Sequence, residues 1–296
     1  MERYVVGIGE ALWDMLPAGR QLGGAPANFA FHAGQFLGMD QVMAVSALGQ
    51  DALGEETEAA FKERHLPVYM PRVAFPTGTV QVCLDGKGIP SYDIREGVAW
   101  DNIPFDSTME GIARNCRAVC FGSLAQRNAV SRASIREFIS RTPPDCLRIF
   151  DINLRQHYYG REVVEASLQA ADILKINDEE LAVVSDMCGC PAGEMPRVCR
   201  SLLEGYGLEM VVLTCGTAGS YVITRSETSF LPTPRVQVVD TVGAGDSFTG
   251  ALCAALLRGE PVSRAHALAV KVSAYVCTQP GAMPLLPEPG YWPGLT

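Results

Sequence analysis

No two cysteines in this chain are spaced as a CxxC pair, although there are ten of them, at 83, 116, 120, 146, 188, 190, 199, 215, 253 and 277. Most lie inside apolar runs, such as Cys120 within Ala118–Phe121 and Cys215 after Val211–Thr214. They are expected to be small buried hydrophobes in a reducing compartment, not a disulfide framework. Cys188 and Cys190, the one close pair, have no histidine near them in sequence, which argues against a zinc site. No apolar run is long enough to span a bilayer. The chain enters the strand-like run Tyr4–Gly9 almost at once, without the apolar stretch and cleavage site of a signal peptide, so a cytoplasmic location away from membranes is expected. Blocks of Lys and Arg are missing too. With a formal net charge of −9, binding of nucleic acid by phosphate neutralisation is not expected.

Two common nucleotide-binding patterns are also absent. There is no GxxxxGK[ST] and hence no P-loop. Gly7 and Gly9 follow a strand start, but Leu12 stands where a dinucleotide fingerprint needs its third glycine.

What remains is a chain of 296 residues, 48% of them hydrophobic, in which strand-like and helix-like segments alternate. Strands are expected at 4–9, 41–47, 117–122, 147–152, 172–176 and 209–215. Helices are expected at 26–38, 51–65, 131–141, 161–170, 178–187 and 192–205. Most of these strands are continuous apolar runs, the pattern of a parallel sheet covered by helices on both faces. Two stretches break the alternation. Residues 77–84 and 89–95 flank Asp85-Gly86-Lys87-Gly88 and read as a hairpin; residues 10–22 form a short piece beside the first strand. Both are expected to belong to a small β lid.

Residues Asp240–Gly250, Asp-Thr-Val-Gly-Ala-Gly-Asp-Ser-Phe-Thr-Gly, carry the most information. Phe248, Ala251, Leu252, Ala255 and Leu256 have helical spacing, so a helix is expected to begin near Ala244. The Gly243-Ala244-Gly245 turn then lies at a helix N-terminus, where unbonded N–H groups and the macrodipole favour an anion. Asp246 falls in the first turn and, beside that dipole, is expected to be ionised. A plain glycine-rich turn with a stabilising first-turn acid is the rival reading.

This stretch resembles the second signature of the ribokinase-like (PfkB) carbohydrate kinases. Gly23-Gly24-Ala25-Pro26-Ala27-Asn28 resembles the first, in the form typical of fructokinases. Asn153-Leu154-Arg155, Asn177-Asp178-Glu179-Glu180 and Thr214-Cys215-Gly216-Thr217-Ala218-Gly219 lie between them in the family's order. The resemblance implies one ribokinase-like domain over 1–296. This would be a three-layer α/β/α sandwich with a mainly parallel sheet and a discontinuous β lid from about 10–22 and 77–100. It implies an ATP-dependent sugar kinase in which Asp246 takes the acceptor hydroxyl proton and Gly243, Ala244 and Gly245 form the anion hole. Phosphoryl transfer needs positioning and charge stabilisation above all, which suits that set.

By the same resemblance Asp14, Gly24, Asn28 and Arg155 bind the sugar, with a salt bridge to Asp151 as the rival reading of Arg155. Asn177, Thr214, Gly216 and Gly219 bind the nucleotide, a simple hairpin turn being the rival for the last three. Glu180 orders Mg²⁺ through water. Asp240, Val242 and Gly281 match positions that surround a monovalent cation such as K⁺, but Gln279-Pro280 replaces two residues that are often basic, which counts against dependence on K⁺. Ala25-Pro26 leaves no lysine in the first signature for a sugar phosphate, so a neutral sugar is expected, fructose first. Ribose, a nucleoside, 2-keto-3-deoxygluconate, or a silent sensor on the same fold are the alternatives. Sugar and ATP are the expected partners, together with a second copy of the chain through the lid.

Overall fold

The computed structural model describes residues 3–16, 19–84 and 90–287, leaving aside the side chains of 82–84 and 90–92. Its strands are β1 (Tyr4–Ile8), β2 (Leu12–Leu16), β3 (Gly19–Gly23), β4 (Val42–Val45), β5 (Leu48–Gly49), β6 (Val68–Tyr69), β7 (Arg72–Val73), β8 (Gly78–Leu84), β9 (Pro90–Ile94), β10 (Cys116–Phe121), β11 (Leu147–Asp151), β12 (Ile173–Asn177), β13 (Met210–Thr214), β14 (Ser220–Thr224) and β15 (Thr228–Leu231). Its helices are α1 (Ala25–Leu37), α2 (Ala52–Glu63), α3 (Ser107–Arg114), α4 (Ala129–Arg141), α5 (Arg161–Ala170), α6 (Asp178–Met187), α7 (Met195–Tyr206), α8 (Ala244–Leu257) and α9 (Val262–Val276).

The large sheet runs β15-β14-β13-β12-β11-β10-β1-β4-β6. From β13 to β6 every pairing is parallel; β14 and β15 add an antiparallel edge. Successive residues of a strand point to opposite faces, and here both faces are covered. Val5, Ala118, Ile149 and Val212 pack with residues of α1, α8 and α9, while Val6, Val119, Phe150 and Leu213 pack with residues of α3 to α7. The architecture is therefore the expected three-layer α/β/α sandwich with a smaller β lid.

The lid is a four-stranded sheet, β3-β2-β8-β9. β2 and β3 pair antiparallel, and β2 lies parallel to β8 in the register Asp14↔Val80. The Asp85–Gly88 turn lies outside the described residues. Arg127 holds the base of the lid. Its guanidinium bonds both oxygens of Asp101 at 2.7 and 2.9 Å and the Arg95 carbonyl at 2.6 Å, and it lies 3.9 Å from the centroid of the Trp100 ring.

Helix starts follow their capping chemistry. Asp51 and Asn128 accept from Gly54 and Val130 N–H, so the helix expected at 131 begins two residues earlier. α7 begins at Met195, later than the expected 192, with Pro196 in its first turn, where a missing N–H costs nothing. Cys116, Cys120, Cys146, Cys199, Cys215 and Cys253 are buried free thiols, as their apolar surroundings predict. Among the described residues no helix is long and apolar enough to cross a membrane.

Candidate active site

In an open parallel sheet ligands sit beyond the C-terminal ends of the strands. Here β1 ends next to Gly9-Glu10, β11 ends in Asp151, and β12 and β13 end in Asn177 and Thr214, which are register partners. The N-termini of α1 and α8 meet at this edge, and α6 starts there from Asn177. α8 lies tightly on α1 because Gly250 has no side chain; a Cβ there would come within 2.8 Å of the Phe29 carbonyl. The approach joins the two signatures: Asn28 Nδ2 donates to Asp246 Oδ2 at 2.8 Å across 218 residues of sequence.

The turn ahead of α8 has the geometry of an anion cradle. Gly243 is left-handed, with φ of 78°. The first bond of the helical ladder runs from Ser247 N–H to the Gly243 carbonyl at 2.8 Å. The N–H groups of Gly245 and Asp246 precede it and have no acceptor within the helix. Asp246 itself is half-buried. Desolvation and then the nearby charge of Asp151 push its carboxyl up to about 6, against the bond from Asn28 and the charges of Lys175 and Arg155. A carboxyl near 6 is still mostly ionised at neutral pH, burial and Asp151 acting against the ionisation that the helix terminus favours.

Two charged groups were not singled out from the sequence. Lys175, inside the apolar strand β12, is buried with Nζ 3.1 Å from Asp151 Oδ1. Burial would lower its pKa, but Asp151, Glu180 and Asp246 outweigh this and raise it. Asp151 is thus the partner of Lys175, not of Arg155. A lysine amid Ile173–Ile176 was the available signal, since an isolated buried charge must be paired. Glu10 is buried as well, with no partner for Oε2 among the described residues. Burial pushes its carboxyl up to about 7, and the charge of Asp246 pushes the same way.

The other expected site residues divide by their surroundings. Asp14 lies on β2 of the lid beside Gly23, and burial raises its pKa. Gly24 is required by packing, since a Cβ would fall 2.5 Å from the Glu10 carbonyl. Arg155 has a half-exposed head that donates to the Leu154 carbonyl and to Asn153 Oδ1, with Glu180 4.0 Å away. Glu180 accepts from Leu154 N–H at 2.9 Å and from Asn177 N–H at 3.0 Å, while Asn177 caps Glu180 N–H in return. This capping box anchors the loop that carries Arg155.

Thr214, Gly216 and Gly219 frame the turn between β13 and β14, which is indeed a hairpin; Gly216 accepts from the Thr233 hydroxyl at 2.6 Å. Asp240 gathers the other two cation-loop positions, its two oxygens accepting from Val242 and Gly281 N–H. A surface cavity of about 390 Å³ is lined instead by Arg127, Arg132, His157, Tyr158 and Tyr159 among others, and by none of Asp14, Asn28 and Asp246.

Comparison with known proteins follows the same lines. The family model for pfkB family carbohydrate kinase matches residues 18–289. The chain is 26% identical to an ATP-dependent 6-phosphofructokinase of Thermoanaerobacterium thermosaccharolyticum, covering 96% of this chain and 91% of the relative. It is 29% identical to a fructokinase of Klebsiella pneumoniae over 95% of each. The fold superposes on a fructokinase of Xylella fastidiosa solved with bound ATP, with a TM-score of 0.82 at 23% identity over 96% of this chain and 94% of that one. The two curated names disagree on the acceptor, one a sugar phosphate and one a free sugar.

Proposed function

The chain belongs to the pfkB family of carbohydrate kinases and phosphorylates a small sugar or nucleoside hydroxyl with ATP; on that premise we propose that the acceptor is a hydroxymethyl group of a neutral sugar, fructose first, and that Asp246 is the general base. The observation that carries the reading is the Asn28–Asp246 bond at the mouth of the α8 anion cradle. Asn28 fixes one carboxylate oxygen and leaves the other to take the acceptor proton. The N–H groups of Gly245 and Asp246 face the charge that develops on the transferring group, where fixed dipoles act without reorganisation. Asp14 and Asn28 hold sugar hydroxyls, and closure of the lid keeps water from the phosphoryl group.

The nucleotide is assigned to the edge formed by Asn177, Thr214 and the Gly216–Gly219 turn. Among the described residues no group of three His, Cys, Asp or Glu side chains is placed to hold a metal. Glu180 fits Mg²⁺ through water, each of its oxygens keeping a lone pair beside its backbone bond. Bound Mg²⁺ would supply charge neutralisation between phosphate oxygens. Asp240 likewise keeps a lone pair on each oxygen beside its bonds from Val242 and Gly281 N–H, so its loop could hold a monovalent cation, to which no step is assigned.

A sugar acid such as 2-keto-3-deoxygluconate is a second reading. It is favoured by the half-exposed Arg155 guanidinium, whose charge reaches Asp246 and which could pair with a carboxylate. The deciding experiment is an ADP-release screen of fructose, ribose, a nucleoside and 2-keto-3-deoxygluconate with wild type and Asp246→Asn. Fructose is expected to lead, and the variant to lose about 10²–10⁴-fold in kcat while still binding ATP. A variant that keeps more than about a tenth of wild-type kcat removes Asp246 from the role.

A further inference from the structure

A buried ion pair adds little net stability, because the cost of desolvating both charges cancels most of their attraction. The pair between Lys175 and Asp151 nevertheless lies deep in the sheet, with side chains only 7% and 5% exposed. Its location suggests what it does. A Cβ on Gly245 would stand 3.0 Å from Lys175 Nζ, so the ammonium lies directly under the turn of the anion cradle. Asp151 reaches the same turn by another route. Its Oδ2 is 2.9 Å from the Thr249 hydroxyl, which is itself 3.0 Å from the Gly245 carbonyl. Asn153 Nδ2 completes the set on Oδ1 at 3.0 Å.

We propose that Asp151 and Lys175 are a positioning pair for phosphoryl transfer: without touching the acceptor they hold the floor of the Gly243–Gly245 turn and set the orientation and ionisation of Asp246. The inference rests on Asp246 being the base. The groups that bear on Asp246 come from every neighbouring element: Asp151 from β11, Lys175 from β12, Arg155 from the loop after β11, Asn28 from α1, Glu10 from the loop after β1, and the Cys120 thiol from β10. Lys175 in turn faces Glu180 as well as the two aspartates. Within this set the two members of the pair act in opposite directions, Asp151 making Asp246 harder to ionise and Lys175 making it easier.

That opposition provides a test that a merely structural role would not pass. The pH dependence of kcat/KM is measured for wild type, Asp151→Asn, Lys175→Met and the double variant, with Asp246→Asn as reference and Glu10→Gln alongside to recognise a limb belonging to Glu10. The acid midpoint is expected to fall in Asp151→Asn and rise in Lys175→Met, each by on the order of one pH unit. In the double variant it should return to within about half a unit of wild type, with kcat lowered at least about tenfold and the KM for sugar little changed, as for loss of an interaction made in the transition state.

Each single variant leaves the other member of the pair buried without its partner, so the double variant, which removes both charges, decides if a single one fails to fold. A folded double variant with wild-type kcat overturns the proposal, as do unmoved midpoints in folded single variants. If Asp246→Asn keeps its turnover, the base reading and this inference fall together. Lost turnover in Asp246→Asn combined with unmoved midpoints sinks the positioning pair alone.

Discussion

Replacing Gly243 by alanine tests the anion cradle at the point where the backbone has least freedom. With φ at 78°, the position is one that L-residues occupy at a cost of about 1–2 kcal/mol. The added Cβ would lie 2.6 Å from the Ala282 carbonyl oxygen and 2.7 Å from its Cα, and backbone cannot swing aside as a side chain can. Overpacking of this kind costs roughly a further 1–3 kcal/mol. The sum, roughly 2–5 kcal/mol, should lower Tm by about 4–20 °C, at about 2–4 °C per kcal/mol for a large domain.

The turn must shift to accept the methyl, and displacing one donor from a developing oxyanion typically costs about 10²–10³ in kcat. Gly245→Ala is the control for folding. Its Cβ would stand 3.0 Å from Lys175 Nζ, a tight contact but without the positive φ and backbone clash of position 243, so it should melt closer to wild type than Gly243→Ala. Thermal melts and ADP release coupled to NADH oxidation measure both quantities. A folded Gly243→Ala protein with kcat within about threefold of wild type would refute the claim that this turn positions the donors.

Three further outcomes are expected. Asp14→Ala should raise the KM for sugar far more than that for ATP, since Asp14 lies on the lid; equal rises in both constants would point to a folding defect instead. Glu10→Gln should flatten the pH dependence of stability. The folded-state pKa of Glu10, about 7, is above its unfolded value, so wild type takes up a proton on folding and loses on the order of 3 kcal/mol as pH rises from below about 4.5 to above about 7; parallel Tm curves for wild type and variant from pH 5 to 8 would contradict this. Arg127→Met should cost roughly 3–5 kcal/mol in chemical denaturation by stranding the buried Asp101 carboxylate, with much of it recovered by adding Asp101→Asn; no recovery in the double variant would assign the loss to packing on Trp100 instead.

The layered body was legible because its signals are local. Runs such as Val211–Leu213 are apolar on both faces, and only a covered parallel sheet buries both. The start of α8 at Ala244 could be read from helical spacing beyond a Gly-Ala-Gly turn. Antiparallel β14 and β15 escaped notice, for Ser220–Leu231 mixes polar and apolar residues along an edge with an exposed face. The site was legible where its residues fall within motifs and illegible where it depends on approach in space. Nothing around Asn28 announces that its amide will meet Asp246, since that contact needs α1 and α8 to pack through Gly250. The rival reading that paired Asp151 with Arg155 fell for the same reason. Arg155 is four residues away in sequence, whereas Lys175 is on the adjacent strand, in the register Asp151↔Lys175.

That register explains why charge is concentrated at this end of the sheet. A base for a sugar hydroxyl has two conflicting requirements: it must be ionised at the working pH, yet basic enough to draw a proton, and proton-transfer efficiency is best when the pKa lies near that pH. An exposed aspartate near 3.8 meets only the first. Burial with Asp151 nearby supplies basicity, while Asn28, Lys175 and Arg155 keep the group from being protonated outright, and the balance falls at about 6. Removing Lys175 alone would leave the carboxylates it faces, Asp151, Glu180 and Asp246, without its charge, and the half-exposed head of Arg155 is screened by solvent. On the proposed reading, Lys175 is the charge that keeps the half-buried Asp246 ionised beside Asp151, and its place in β12, one strand from Asp151, is set by the register of the sheet.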